Sequence, residues 1–276
     1  MIPETGPAMI EFTPLGRSGL VSWSRPGEFS CFDELLSAPI ADTELLHLSH
    51  YGPIAIRYGA GPDVVLLLHS SLHQAPLLSP ERRWLPPYAP MAIRALPFRR
   101  GAEPEEPEVA LALATDGDAR FALRGADGKP GPEFAMALDL LQRLGRGSAR
   151  LANAAKLLIA ADLLVPLYAP ESHPDETLLT VSAERLRALG PRRVAALTAD
   201  ANLAFELAGA MLFSQRWLAK GVIQDVPAPE TTPIPPAPRE TFATYSPSDA
   251  LDQPVLLDDS SLFSIDEFLQ SGGLSK

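Results

Sequence analysis

The chain has 276 residues, enough for one large domain or two modest ones at roughly 100–200 residues each, so a sizeable buried core is within its reach. Hydrophobic residues at 46%, charged residues at 21% and aromatics at 7% exclude a disordered or fibrous protein, while 29 prolines, about twice the usual share, demand turns, loops or a spacer. With 23 basic against 34 acidic residues the net charge is −11, a field that repels a polyanion and argues against direct nucleic-acid binding.

The first residues, Met1-Ile2-Pro3-Glu4-Thr5-Gly6-Pro7, have neither the cationic stretch nor the apolar run of a secretory signal. Up to Phe32, glycine and proline recur between apolar residues, as in Leu15-Gly16-Arg17-Ser18-Gly19-Leu20, which predicts loops with at most one strand. Cys31 is the single cysteine, so no intrachain disulfide forms; a buried, inert thiol is the expectation. Ala41–Tyr51, with Leu45, Leu46 and Leu48 behind Asp42 and Thr43 as N-cap candidates, predicts a short helix. Ile54–Tyr58 alternates, Val64–Leu68 is continuously apolar, and Gly59–Asp63 between them suits a hairpin turn. Beyond a proline-rich stretch at 84–97, Val109–Leu113 and Arg120–Arg124 are expected to pair as strands across Thr115–Asp118.

From Pro132 the period changes. Phe134, Leu138, Leu141, Leu144, Leu151, Ala155 and Leu158 fall at helical spacing, so 132–164 reads as one long or two consecutive helices ended by Pro166, with Gly145 and Gly147 the weak point. A strand at Leu178–Val181, a helix from Ser182 and a further helix from about Ala199 to Lys220, with Gly221 as a C-cap, complete this half. No stretch approaches the ~20 apolar residues of a membrane helix, so the default location is cytoplasmic.

Residues 225–276 carry nine acidic and two basic side chains, net −7, which leaves −4 for 1–224. Eight prolines at 226–254 predict an extended spacer. Ser260–Gly273 then has complete helix punctuation: Ser264 with Glu267 as a capping box, Phe263 with Phe268 as a staple, and Gly272 as a stop. A helix this short does not recover its nucleation cost alone in water, so it is expected to fold against something. The expected fold is therefore α+β, a strand-rich N-terminal half packed with a helical C-terminal half at 1–225. An acidic proline-rich linker at 226–254 and a tail with a short docking helix at 255–276 follow it.

The segment Arg83-Trp84-Leu85-Pro86-Pro87-Tyr88-Ala89-Pro90-Met91-Ala92-Ile93-Arg94-Ala95-Leu96-Pro97-Phe98 resembles the Trp, Tyr-x-Pro, Arg-x-x-Pro-Phe signature of the bacterial SapC family. Pro53-Ile54-Ala55-Ile56, the block ending Leu163-Leu164-Val165-Pro166, and Ala201–Ser214 extend the resemblance over about residues 12–222. Relatives often carry a histidine near the first strand, where this chain reads Gly16-Arg17-Ser18-Gly19. The resemblance implies a setting, near cell-surface proteins or beside halogenase-like and cupin-like oxygenases, and no settled reaction.

Within the signature, the Arg94 guanidinium can stack on Tyr88 and offer its fork to a peptide C-terminus or an acidic side chain. Trp84, Tyr88, Arg94 and Phe98 are thus the candidate ligand-binding residues, and the competing expectation is that the aromatics are core anchors. His47 and His50, and His69 and His73, have the spacing of helical metal-ligand pairs. No Glu completes a His-Glu-x-x-His motif, and His69 follows a strand, so no metal site and no cofactor is expected. His173-Pro174-Asp175 lacks the downstream histidine of an iron facial triad, and neither a Gly-x-Ser-x-Gly motif nor a phosphate-binding glycine loop occurs. No catalytic constellation emerges. The reading is an accessory protein that binds a peptide or protein partner, with Phe263, Ile265, Phe268 and Leu269 of the tail as helix-in-groove anchors, in cis or in trans. The rival reading is an enzyme, or enzyme subunit, of a surface-molecule or peptide-modifying system, its site converging only in three dimensions from Arg94, Tyr88 and the histidines.

Overall fold

Chain order is strand-dominated to residue 122 and helix-dominated beyond it. The computed structural model describes residues 10–26, 35–101, 106–115, 120–198 and 202–224. The first half holds β1 (Phe12–Pro14), β2 (Ser22–Trp23), β3 (Ser37–Pro39), α1 (Leu45–Ser49), β4 (Ile54–Tyr58), β5 (Pro62–Leu67), α2 (Met91–Arg94), β6 (Phe98–Arg100), β7 (Pro107–Ala110), α3 (Leu111–Ala114) and β8 (Phe121–Ala122). The second half holds α4 (Pro132–Ala160), β9 (Leu164–Pro166), β10 (Thr177–Val181), α5 (Ala183–Arg187), α6 (Pro191–Leu197) and α7 (Leu203–Ser214). The fold is α+β, as the sequence predicts. The expected spacer at 226–254 and tail helix, with Phe263, Ile265, Phe268 and Leu269, lie outside the described residues, as does Cys31.

A five-stranded antiparallel sheet in the order β3-β5-β4-β10-β9 forms the centre. Successive strand side chains point to opposite faces. Ile54, Ile56, Val64 and Leu66 accordingly enter one core layer, and Ala55, Val65 and Leu67 enter another. The first layer packs against α4, α7 and α1. The second is covered by Leu72 and by the chain after α7, through Leu218 and Val222. Coverage on both faces is why β5 is unbroken in its apolar character from Val64 onward. Ser214, at the end of α7, ties the helix to the sheet by accepting a hydrogen bond from the Ile54 N–H at 3.0 Å.

A second core lies under smaller sheets, β1-β7-β6 and β2-β8, where Trp23, Phe98 and Phe134 meet with ring centroids 4.9 and 5.0 Å apart. The 29 residues of α4 run about 44 Å at 1.5 Å per residue and join the two cores. Phe134, Ala137 and Leu141 pack in the smaller one, Leu151, Ala154, Ala155 and Leu158 in the larger. The helix is single despite its two glycines because both lie under close neighbours. A Cβ on Gly147 would stand 2.5 Å from the Ala41 Cβ, and one on Gly145 would stand 2.7 Å from the Arg100 guanidinium carbon.

Several predicted elements are corrected. Val109–Leu113 and Arg120–Arg124 do not pair: β7 is flanked on both sides by β1 and β6, the chain turns into α3 at Leu111, and β8 pairs with β2, where Phe121 meets Trp23. Residues 10–26 hold two short strands instead of at most one. The long helix stops at Ala160 in a Schellman turn, with the Leu163 N–H bonded to the Leu158 carbonyl and the Asp162 N–H to the Ile159 carbonyl. Asp162 supplies the left-handed residue at φ 55°, and Arg185 holds its carboxylate at 2.8 Å. Pro166 then belongs to β9. The last predicted helix is α7 plus a 3-10 turn at Gln215–Trp217, and Gly221, at φ +79°, sits in a later turn instead of capping it.

Five of the described prolines occupy positions that need no backbone N–H. Pro132 and Pro191 open helices, and Pro14, Pro39 and Pro166 lie in the outermost strands β1, β3 and β9.

Candidate functional site

The short helix at residues 45–49 forms where expected, entered through a 3-10 turn at Asp42–Glu44. Neither Asp42 nor Thr43 is its cap. Glu44 instead turns back, its Oε2 accepting the Ala41 N–H at 3.0 Å. Its Oε1 accepts the Met91 N–H at 2.7 Å and the Tyr88 hydroxyl at 2.9 Å. Glu44 is 2% exposed. A carboxylate taken from water needs such bonds, and two of the three, to Met91 and Tyr88, bind the signature segment to the turn that opens α1. Glu44 escapes sequence reading because its partners are 47 and 44 positions away; the one local signal is its place three residues after Ala41.

Within the signature, the Trp84 indole N–H donates to the Tyr88 carbonyl at 3.0 Å. The Tyr88 hydroxyl, donating to Glu44, accepts from Arg94 Nη2 at 3.0 Å, and the guanidinium carbon lies 5.1 Å from the Tyr88 ring centroid. Burial raises the Tyr88 phenol pKa, the Glu44 bond raises it further, and Arg94 opposes both. The phenol therefore stays protonated and keeps its donor role. Trp84, Tyr88 and Arg94 come together; Phe98 is fully buried in the smaller core.

Arg94 is exposed and makes no ion pair with a described residue. It stands on the wall of a cleft of about 820 Å³ between α2 and α4, with Ile93, Leu96, Met136 and Leu140 as apolar lining. Met136 is 49% exposed there. The other two arginines on the wall are paired, Arg25 with Glu133 and Arg143 with Asp139. The cleft thus offers one guanidinium that is held on Tyr88 but has no ion pair with a described residue, above an apolar floor.

From Arg94 an aromatic and cationic strip continues across the exposed side of α1. His47 packs on Tyr88 at 4.8 Å and on Tyr51 at 5.2 Å, His50 on Phe213 at 4.8 Å, and the Arg216 guanidinium covers Phe213 at 3.8 Å. The two histidine pairs do not converge. His69 meets Ser71 at 2.8 Å, and His73 turns inward with Nε2 2.9 Å from the Leu67 carbonyl. Among the described residues no group of three or more His, Cys, Asp or Glu has a metal-holding arrangement. No helix among them is long and apolar enough to cross a membrane.

No curated protein and no solved structure matches the chain. The SapC family profile matches residues 20–220, which include every residue of the Glu44–Tyr88–Arg94 arrangement and of the cleft beside it. With most of its length matched, the chain belongs to the SapC family.

Proposed function

We propose that the chain is an accessory protein that recognises a peptide or protein partner through the cleft beside Arg94. The observation that carries this reading is the exposed Arg94 guanidinium, without an ion pair to a described residue and fixed by Tyr88 and, through it, by buried Glu44. A guanidinium fork suits a carboxylate bidentately, and the apolar lining suits the side chain next to a peptide C-terminus. Because the anchor is held before binding, less ordering entropy opposes association. Phe263, Ile265, Phe268 and Leu269 add a second contact as helix-in-groove anchors for the partner, and the acidic flanks steer them toward a basic rim.

Fluorescence anisotropy tests the cleft with a short labelled peptide pool ending in Leu or Phe, as the free acid and as the amide. The free acid is expected to bind, the amide to bind at least about tenfold more weakly, and Arg94→Gln to erase the difference. Equal binding of acid and amide would sink the reading. The tail is tested separately by comparing the full chain with one ended at Asp225 for capture of partners identified by mass spectrometry; recovery unchanged by truncation removes the tail from the proposal.

A further inference from the structure

A second cavity, of about 360 Å³, opens where β1 and β6, the β3 edge of the larger sheet and the middle of α4 meet. That volume is within the range of small-ligand sites. Its interior is apolar, with Leu35, Ile93, Leu96, Leu141 and Leu144 among the lining residues, and its charged groups are mostly cationic: Arg57, Arg99 and Arg100 against Asp63.

Two of the three arginines are committed. Arg57 pairs with Asp63 at 3.3 Å, and Arg99 pairs with Glu108 at 2.6 Å while its guanidinium covers the Phe12 ring at 4.0 Å. Arg100 has no ion pair or hydrogen bond from its side chain to any described residue. Its guanidinium lies against α4 at Gly145, where a Cβ would stand 2.7 Å from Cζ and 2.8 Å from Nε and Nη1. The glycine that weakens the helix thus makes room for this cation at the cavity. On the same lining, Ser37 has a buried Oγ without a hydrogen-bond partner, a state that costs stability until a partner is supplied.

We propose that this cavity binds a small amphipathic carboxylate, distinct from the peptide read by Arg94. The head group lies on Arg100, whose planar fork accepts two carboxylate oxygens. The apolar body lies along Leu141 and Leu144. A single negative charge fits better than two, because Asp63 stands on the same wall and opposes a dianion.

Isothermal titration of the full chain with n-octanoate tests this, with n-octylamine and inorganic phosphate as the charge-reversed and tail-less probes. One saturable octanoate site is expected, with no measurable binding of the other two. Arg100→Gln is expected to weaken octanoate at least about tenfold at an unchanged melting temperature. Arg187→Gln, the same charge change on α5, is expected to bind as the parent chain does. Absence of octanoate binding at millimolar concentration, equal uptake of n-octylamine, or an equal loss in both arginine variants would each overturn the proposal. Because peptide anisotropy reads Arg94 and octanoate titration reads Arg100, either site can fail without the other.

Discussion

The Tyr88 hydroxyl donates to Glu44 Oε1 at 2.9 Å and accepts from Arg94 Nη2 at 3.0 Å, so one phenol connects a buried anion to an exposed cation. Glu44 and Arg94 do not touch. Their charges meet through a neutral group whose raised pKa keeps its proton in place, and the exposed end keeps its charge for a ligand.

Glu44→Gln is expected to destabilise the chain by about 1–3 kcal/mol, measured by urea unfolding. All three partners of Glu44 are donors. An amide places an NH2 where one oxygen stood, so at least one buried donor faces another and goes unsatisfied.

Tyr88→Phe separates the hydroxyl from the ring. The Met91 N–H still reaches Glu44, so the stability cost is expected to be nearer about 1 kcal/mol. Arg94 keeps a ring to stack on but loses its acceptor. Peptide affinity in the anisotropy measurement should fall by a factor between that of the parent and the roughly tenfold loss of Arg94→Gln; parent-like affinity would remove Tyr88 as a positioning residue.

Gly147→Ala and Gly145→Ala are expected to differ, although each replaces a helical glycine with the better helix former, a gain of up to about 1 kcal/mol. At 147 the new methyl meets the Ala41 Cβ at 2.5 Å and the Ala41 Cα at 2.9 Å, close backbone that cannot swing away. Thermal unfolding should show a net loss of about 1–2 kcal/mol there. At 145 it meets the far end of the Arg100 side chain, which can move, so stability should be unchanged or higher.

Stability should fall in mild acid partly through His73. Burial lowers its pKa from 6.5 to about 4, the hydrogen bond to the Leu67 carbonyl opposes this, and nearby His69 adds to the lowering. The unfolded chain takes up this proton near pH 6.5 and the folded chain only near pH 4. The neutral form's contribution is therefore complete above pH 6.5 and is lost as pH drops toward 4, at about 1.4 kcal/mol per unit and about 3 kcal/mol in all. Urea midpoints from pH 7 to 4.5 should drop in the parent chain, and the slope should be shallower in His73→Gln, whose amide can still donate to Leu67.

What the sequence disclosed follows the range of the forces involved. The β4–β5 hairpin was legible because Ile54–Tyr58 alternates and Gly59–Gly61 supplies the turn. The long helix was legible because its apolar spacing outweighs two glycines whose cost a distant residue explains. Its end was not, since Asp162 takes the left-handed position where a glycine is the usual marker, steadied by Arg185, 23 residues on. One of the two partners of β7 was invisible for the same reason: an apolar strand specifies its pleat and not its neighbour, and β1 lies almost a hundred positions away, although β6 is only seven positions off at Arg100 and Pro107. At the site, Tyr88 and Arg94 were legible through their proximity in sequence. The buried carboxylate beneath them was not, because an acidic residue near a helix start ordinarily faces water.

The prolines in the outer strands bear on how this protein meets others. Pro39 and Pro166 sit in the two outermost strands of the five-stranded sheet, β3 and β9, each of three residues. Pro39 removes a donor from a border only three residues long, so an incoming extended chain finds an incomplete ladder there, while the β9 border is already met by the chain's own later residues, the Tyr168 N–H donating to the Val222 carbonyl and the Gln224 N–H to the Pro166 carbonyl. Association by adding a strand, whether of a ligand or of a second misfolded copy, is thereby disfavoured. Recognition is left to side chains projecting from helices and loops.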